Sequence, residues 1–386
     1  MQKIMTLINE SESQPYQGER LKVLRDLEGI TQAELAESLG VTQSFLSRVE
    51  KGEKPFPEST AIAASKNYSI PSSFFQVESN VSAMGHFTFR KSSRARVRDE
   101  HRIKALYGEA ARLFHDVSVE SGYHETVLPE PADHEDDPEE CAEALRRSCG
   151  LGPEDPVRNV TRLLERCGVG VVTHLDANDV DVSEHIGISR PNKLNNRPLV
   201  ALTHHVPGAV QRLSLGHELG HWIFDRQLAA PVHGVRNPVE ARAFRFAGAL
   251  LLPEKVVRRR VTESLSLHAY LPIKADYGVS VSAILRRAKD LGVISSERYR
   301  SLSIQLSSQG WRRQEPVEVS EESPRLFHQA LEQVFGKEYY FVASNRHGIS
   351  SEHLGRWTNC QPEKLSNADL LDESQVVISI ADWKRA

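Results

Sequence analysis

The sequence predicts a multidomain, mainly α protein: an all-α helix-turn-helix domain, then an α+β unit with a small sheet, then a helical C-terminal region. Three observations carry that expectation. Between residues 17 and 66 short apolar-periodic runs follow one another, with capping residues ahead of them and glycines after them. Between 168 and 203 helical periodicity gives way to short apolar segments bounded by turn residues. From Arg212 onward the pattern is helical again, and the first of these helices carries two histidines. A chain of 386 residues is long enough for about two to four domains, each with its own core.

The first domain follows from its caps. Leu21, Leu24 and Leu27 fall at helical spacing within residues 17 to 28, and Gly29 ends the run. Thr31 with Glu34 is a capping box opening a second helix, and Gly40 suits a left-handed stop. Residues 42 to 52 repeat that grammar, with Phe45, Leu46 and Val49 as the apolar face. Two helices joined at Gly40 and Val41 make a helix-turn-helix. Small Ala36 permits their close crossing, and a helix near residues 58 to 66 completes the bundle.

Residues 16 to 75 resemble the DNA-binding domain of the phage-repressor (Xre-type) family. The resemblance implies that Gln32 touches the phosphate backbone of a double-stranded DNA operator, while Gln43, Ser44 and Arg48 point from the third helix into the major groove. Glutamine pairs bidentately with adenine and arginine with guanine, so the residue types agree. Acids and bases nearly cancel between Glu19 and Lys54, which predicts weak non-specific affinity and leaves protein contact as the other use of this fold. Such readers usually act as dimers, which makes a homodimer one of the states open to this chain.

Residues 79 to 140 read as a basic helix and an acidic linker. His86 to Lys91 alternates like a strand, and Arg94, Arg96, Arg98, Arg102 and Lys104 crowd a helix: an extension of the DNA footprint, a solvated face, or a partner for the acids that follow. No Lys or Arg occurs between Phe114 and Leu145, and residues 129 to 140 read as an exposed linker and domain boundary.

The next unit, 141 to 316, opens with an amphipathic helix over residues 157 to 167. Strands are expected at 168–173, 185–189 and 198–203, with a turn through Asn192 to Asn196. The helix of residues 212 to 224 then carries His217-Glu218-Leu219-Gly220-His221. Histidines four apart lie about 40° from superposition on a helix, so both rings can face one metal ion, with Glu218 beside it. This is the H-E-x-x-H signature of zinc peptidases. An open catalytic site takes three protein ligands and leaves a fourth position for water. Asp225, His233 and Glu240 are candidates for the third. Asp225 is better placed to orient His221, and Glu240, opening a strong helix from Pro238 to Pro253, is favoured. Arg212, one turn before His217, is read as structural.

Residues 146 to about 265 resemble the ImmA/IrrE family of zinc metallopeptidases, on His217-Glu218-x-x-His221 and on Glu240, Ala243, Phe246, Ala247, Leu250 and Pro253. The resemblance implies a zincin-like fold, zinc held by His217, His221 and Glu240, Glu218 as catalytic carboxylate, and helix-turn-helix repressors as substrates. Many relatives carry a second acid where this chain has Arg242. Together the two domains point to a DNA-binding transcriptional regulator with a zinc endopeptidase that cleaves a repressor-type protein. Zinc would acidify its bound water toward pKa about 7 and polarise the scissile carbonyl, and Glu218 would take the proton. His204, His205 and His233 are candidate oxyanion donors. The alternatives are a regulator or antitoxin-like component whose peptidase-like domain senses a ligand or partner without cutting.

Residues 279 to 292 look like half of a further helix-turn-helix and are read as packing around this unit, closed by Arg312 and Arg313. Residues 317 to 386 hold a helix-like run at 327–335 and a strand-like run at 375–381 but no chemical motif. A formal charge of −4 gives no overall pull toward nucleic acid or anionic membrane. No apolar run approaches a membrane span, and the opening residues are too short and polar for a secretory signal, so a cytoplasmic protein is expected. Cys141, Cys149, Cys167 and Cys360 lack C-x-x-C spacing and read as ordinary free thiols.

Overall fold

The computed structural model describes residues 15–88, 96–134, 136–178, 186–228, 237–337 and 339–360. Side chains set the helix starts of the N-terminal domain. Thr31 Oγ1 accepts from the Glu34 amide at 3.2 Å while Glu34 Oε2 accepts from the Thr31 amide at 2.6 Å, and α2 (Gln32–Ser38) begins. Thr42 Oγ1 caps α3 (Gln43–Glu50) through the Phe45 amide. α1 (Glu19–Glu28) stops at Gly29, whose φ of 66° costs a glycine nothing. With α4 (Glu58–Tyr68) these helices bury Leu21, Leu24, Leu35, Leu46 and Phe75 completely.

This bundle does not hang from a linker. α5 (Val97–Glu120) buries Leu106, Tyr107, Ala110, Leu113, Phe114 and Val117. They share one apolar core with the bundle, one face of the sheet and the C-terminal residues Phe327, Leu331, Leu354 and Trp357. Among the described residues no ion pair joins the basic stretch to the acidic one. Arg102 reaches Asp176 at 2.9 Å, whereas Glu130, Asp137 and Glu139 pair with Arg226, Arg245 and Arg287. Arg94 and Phe89 to Lys91 lie outside the described residues. Deeper in α5, Glu109 is clamped between Arg20 at 2.6 Å and Arg112 at 2.9 Å. Burial alone would raise that carboxyl; the two guanidiniums overcome it and hold it at about 2.

The sheet has the order β1 (Gly170–Val172), β3 (Leu199–Leu202), β2 (Gly187–Ser189), with β1 parallel and β2 antiparallel to β3. Alternation makes it a wall between two cores: Val172, Leu199 and Ala201 face the first, Val171, Val200 and Leu202 the second. The second core gathers α6 (Pro138–Ser148), α7 (Val160–Arg166), α8 (Gly208–Phe224), α9 (Pro238–Leu251), α10 (Glu254–Arg260), α11 (Leu271–Tyr277), α12 (Val281–Asp290) and α13 (Ser296–Ser308). α12, the isolated helix-turn-helix-like half, buries Val281, Ile284, Leu285 and Ala288 there.

The chain then crosses back. Glu322 accepts the Val160 and Thr161 amides at 3.1 and 2.7 Å and pairs with Arg212, which also donates to the Val157 and Gly278 carbonyls. α14 (Leu326–Phe335), α15 (Tyr339–His347) and α16 (Ser351–Thr358) pack on the first core: the Phe327 and Phe114 rings lie 5.5 Å apart, and Trp357 Nε1 donates to the Leu175 carbonyl at 3.1 Å. Residues 317 to 360 therefore fasten the N-terminal domain to the sheet. The strand-like run at 375–381 lies outside the described residues, among which no helix is long and apolar enough to cross a membrane.

Candidate metal centre and DNA-facing helix

α8 and α9 cross so closely that a Cβ on Gly220 would lie 3.0 Å from Ala243 Cα, and one on Gly216 3.3 Å from Ala247 Cβ. This crossing brings Glu240, in the first turn of α9, to the histidines of α8. His217 and His221 approach through their Nε2 atoms at 3.1 Å, and Glu240 Oε2 lies 3.2 Å from the first and 3.7 Å from the second. Burial would raise the Glu240 carboxyl, but the two imidazoles pull it well below the usual range. Burial lowers His217. It works the same way on His221, where the Asp225 and Glu240 carboxylates prevail and lift the ring to about 10. Two imidazole nitrogens and a carboxylate oxygen converging within 3.1 to 3.7 Å are a donor set that fits zinc.

The outer face of His221 is held by Asp225, which Arg242 holds in turn. Its Nδ1 meets Asp225 Oδ2 at 2.5 Å, and Asp225 Oδ1 accepts from Arg242 at 2.5 Å. A carboxylate on Nδ1 keeps that nitrogen protonated and turns the Nε2 lone pair inward. Arg242, out of pattern in the sequence, thus braces Asp225 and stacks over Phe224 at 5.0 Å. Asp225 sits on the side of the ring away from the Nε2 cluster, so it does not join the three converging groups.

Glu218 is 1% exposed and faces the sheet edge. Its Oε2 accepts from Ser189 Oγ at 2.7 Å and from Thr88 Oγ1 at 2.8 Å. A Cβ at Gly187 would fall 2.4 Å from Glu218 Oε1, so only glycine leaves this carboxylate its room. Thr88 also occupies the outward edge of β2: its amide donates to the Ser189 carbonyl at 3.0 Å, and its Oγ1 accepts from the Ser189 amide at 2.8 Å. Ligand-capable atoms of His217, Glu218 and His221 lie within 4.8 Å of one another. Glu240 Oε2 stands 3.2 and 3.7 Å from the two rings, while Glu218 is engaged by two hydroxyls. Nothing in the sequence marks Thr88 or Ser189, because folding alone brings them to residue 218.

His204 Nδ1 meets its neighbour Thr203 Oγ1 at 2.9 Å, and the His205 ring packs tilted against His174, 4.1 Å between centroids, with Glu321 3.7 Å away. His233 lies outside the described residues. On α3, Gln43, Ser44 and Arg48 are exposed, and Arg48 Nε is 3.7 Å from Glu53. Gln32 donates to Glu50 at 2.9 Å and accepts from Gln43 at 3.4 Å, so the two glutamines form one chain of hydrogen bonds across the turn.

Residues 168–289 match the IrrE N-terminal-like domain of a peptidase family, and residues 21–75 match a helix-turn-helix family. No curated protein matches the chain. The protein thus joins an N-terminal Xre-like helix-turn-helix domain to an ImmA/IrrE-type peptidase domain.

Proposed function

We propose that this protein binds a DNA operator and, through a zinc-dependent endopeptidase site, cleaves a regulatory protein of the helix-turn-helix repressor class. The observation that carries the reading is the approach of His217, His221 and Glu240 within 3.1 to 3.7 Å beside the buried Glu218. His217, His221 and Glu240 would hold the metal. Bound zinc supplies a Lewis acid that acidifies water and polarises a scissile carbonyl. Glu218 accepts the water's proton and passes it to the leaving amine. Thr88 and Ser189 both engage Oε2, which leaves Oε1 for that transfer. Asp225 keeps His221 in the tautomer that presents Nε2.

In the same reading Gln43, Ser44 and Arg48 meet base edges while Gln32 sets the helix on the phosphates. The shared core between the two domains would hold the cutting centre at a fixed place relative to the operator. The second reading, a regulator whose peptidase-like domain senses a partner without cutting, has one observation in its favour: Thr88 already occupies both Glu218 and the β2 edge. Capture separates the two. Tagged Glu218→Gln protein recovered from cells should retain an intact protein that the wild type releases as fragments. Recovery of the same intact partner with both forms would favour the sensor.

A further inference from the structure

Two cysteines far from any C-x-x-C pattern meet in the fold. Cys149 is the C-cap of α6 and Cys167 the C-cap of α7, and their Sγ atoms lie 3.8 Å apart. Each is followed by a glycine in the left-handed region, Gly150 at φ 74° and Gly168 at φ 83°, so the chain turns away directly after both thiols. The two sides are not equally free. Cys167 is 5% exposed, and its carbonyl accepts from the Val127 amide at 2.9 Å and Thr126 Oγ1 at 2.7 Å. A Cβ on Gly168 would lie 2.7 Å from Thr126 Cα, which leaves that turn no room to shift. Cys149 is half-buried, and a Cβ on Gly150 would meet nothing within 4 Å.

We propose that Cys149 and Cys167 are a peroxide-oxidisable pair, with Cys149 as the reacting thiol and Cys167 as the resolving one, closing to a reversible disulfide. Closing it needs a decrease of about 1.7 Å in the sulfur separation, within reach of a side-chain rotation at the open Cys149 end. The electrostatics run the same way. The Cys167 thiol, donating to Cys149, stabilises a thiolate there and outweighs burial, with Ser148 and Arg166 adding to it. Cys167 is pushed up by that same contact and by burial. Cys141, wholly buried, is pushed up to about 11 by desolvation and by Asp136, Asp137 and Glu140, and Cys360 is raised by burial. Cys149 is also the more exposed sulfur of the pair, so a peroxide reaches it first.

The chemistry balances with a hydroperoxide as oxidant. The Cys149 thiolate attacks the O–O bond, forming a sulfenic acid and expelling hydroxide, which takes up a proton as water. The Cys167 sulfur then attacks the sulfenyl sulfur and the second oxygen leaves, with the thiol proton, as water. Two thiols lose two electrons and one hydrogen peroxide becomes two waters. The new bond ties the end of α6, which packs on the Glu240-bearing α9, to the turn that feeds β1.

The test is non-reducing peptide mass spectrometry of the full-length native protein after stoichiometric hydrogen peroxide, with free thiols alkylated. The expected product is a cross-linked pair of peptides containing Cys149 and Cys167, reversed by dithiothreitol, with Cys141 and Cys360 still alkylated. Cys167→Ser should stop at a Cys149 sulfenic acid captured by dimedone, and Cys149→Ser should give neither product. A wild-type time course in which the sulfenic acid precedes the cross-link reads the same order without any variant. Cys149 passing to sulfinic acid while Cys167 stays alkylatable, or all four thiols surviving peroxide unchanged, would overturn the proposal.

Discussion

Thr88 donates its hydroxyl to Glu218 Oε2 at 2.8 Å, joining the segment that follows the DNA-binding domain to the carboxylate of the H-E-x-x-H helix. The same hydroxyl oxygen accepts from the Ser189 amide at 2.8 Å, so one side chain ties together the segment after the bundle, the sheet edge and the helix of His217 and His221. The contact is possible because the N-terminal bundle, α5 and the sheet share one core.

Thr88→Val keeps the shape and removes the hydroxyl. Groups that orient a catalytic residue commonly contribute about 10–100-fold, and cleavage of the captured partner should fall in that range, in kcat rather than KM. Thr88→Ser should restore most of it. A rise in cleavage with Thr88→Val would instead mean that the segment blocks the β2 edge.

Asp225→Asn should weaken zinc about 10–100-fold in a chelator competition, because the Asp225 carboxylate fixes the His221 tautomer at 2.5 Å. Arg242→Ala should follow in the same direction with a smaller effect, since it acts only through Asp225. Zinc affinity unchanged in both variants would contradict the assigned role of the pair.

Glu109, held at about 2 between Arg20 and Arg112, has an ordinary value of 4.5. A carboxyl depressed in the folded state contributes stability that is fully present above about 4.5 and is lost as pH falls toward about 2. Denaturant titrations should therefore show the wild type losing stability across that window. Glu109→Gln leaves the buried Arg20 guanidinium without a counter-charge and Arg112 with only Asp116 at 3.8 Å, and should cost about 3–5 kcal/mol at neutral pH. The variant should also show a shallower acid dependence than the wild type.

Gln43→Ala and Arg48→Ala should each cost about 1–3 kcal/mol at one base pair of the operator and little on random DNA, in binding measured at fixed salt. Gln43 needs a control, because it also donates to Gln32 at 3.4 Å. Gln32→Ala should weaken all sequences alike.

What was legible in the sequence was what local physics writes there. Capping residues and left-handed glycines marked the N-terminal helices, and the spacing of His217 and His221 placed two rings on one face of α8. Glu240 was legible as an acid opening a helix, though the reason it reaches the rings lies in Gly216 and Gly220 meeting Ala247 and Ala243. What stayed hidden depends on long-range packing. A bundle sharing a core with residues 326 to 357 reads locally like an independent domain, and Glu322 on Arg212 reads like an exposed acid. Arg242 looked out of pattern until Asp225 was beside it, and Thr88 and Ser189 carry no local signal of Glu218.

The measurement closest to the central claim is cleavage of the captured partner by purified, zinc-analysed wild type and Glu218→Gln. The account predicts about one zinc per chain and unchanged operator binding in both. Cleavage should be present in the wild type and lower by at least about 10²–10⁴-fold in the variant, the range typical of losing a general base. A partner cut equally by both forms, or left whole by the zinc-loaded wild type at its operator, would contradict it.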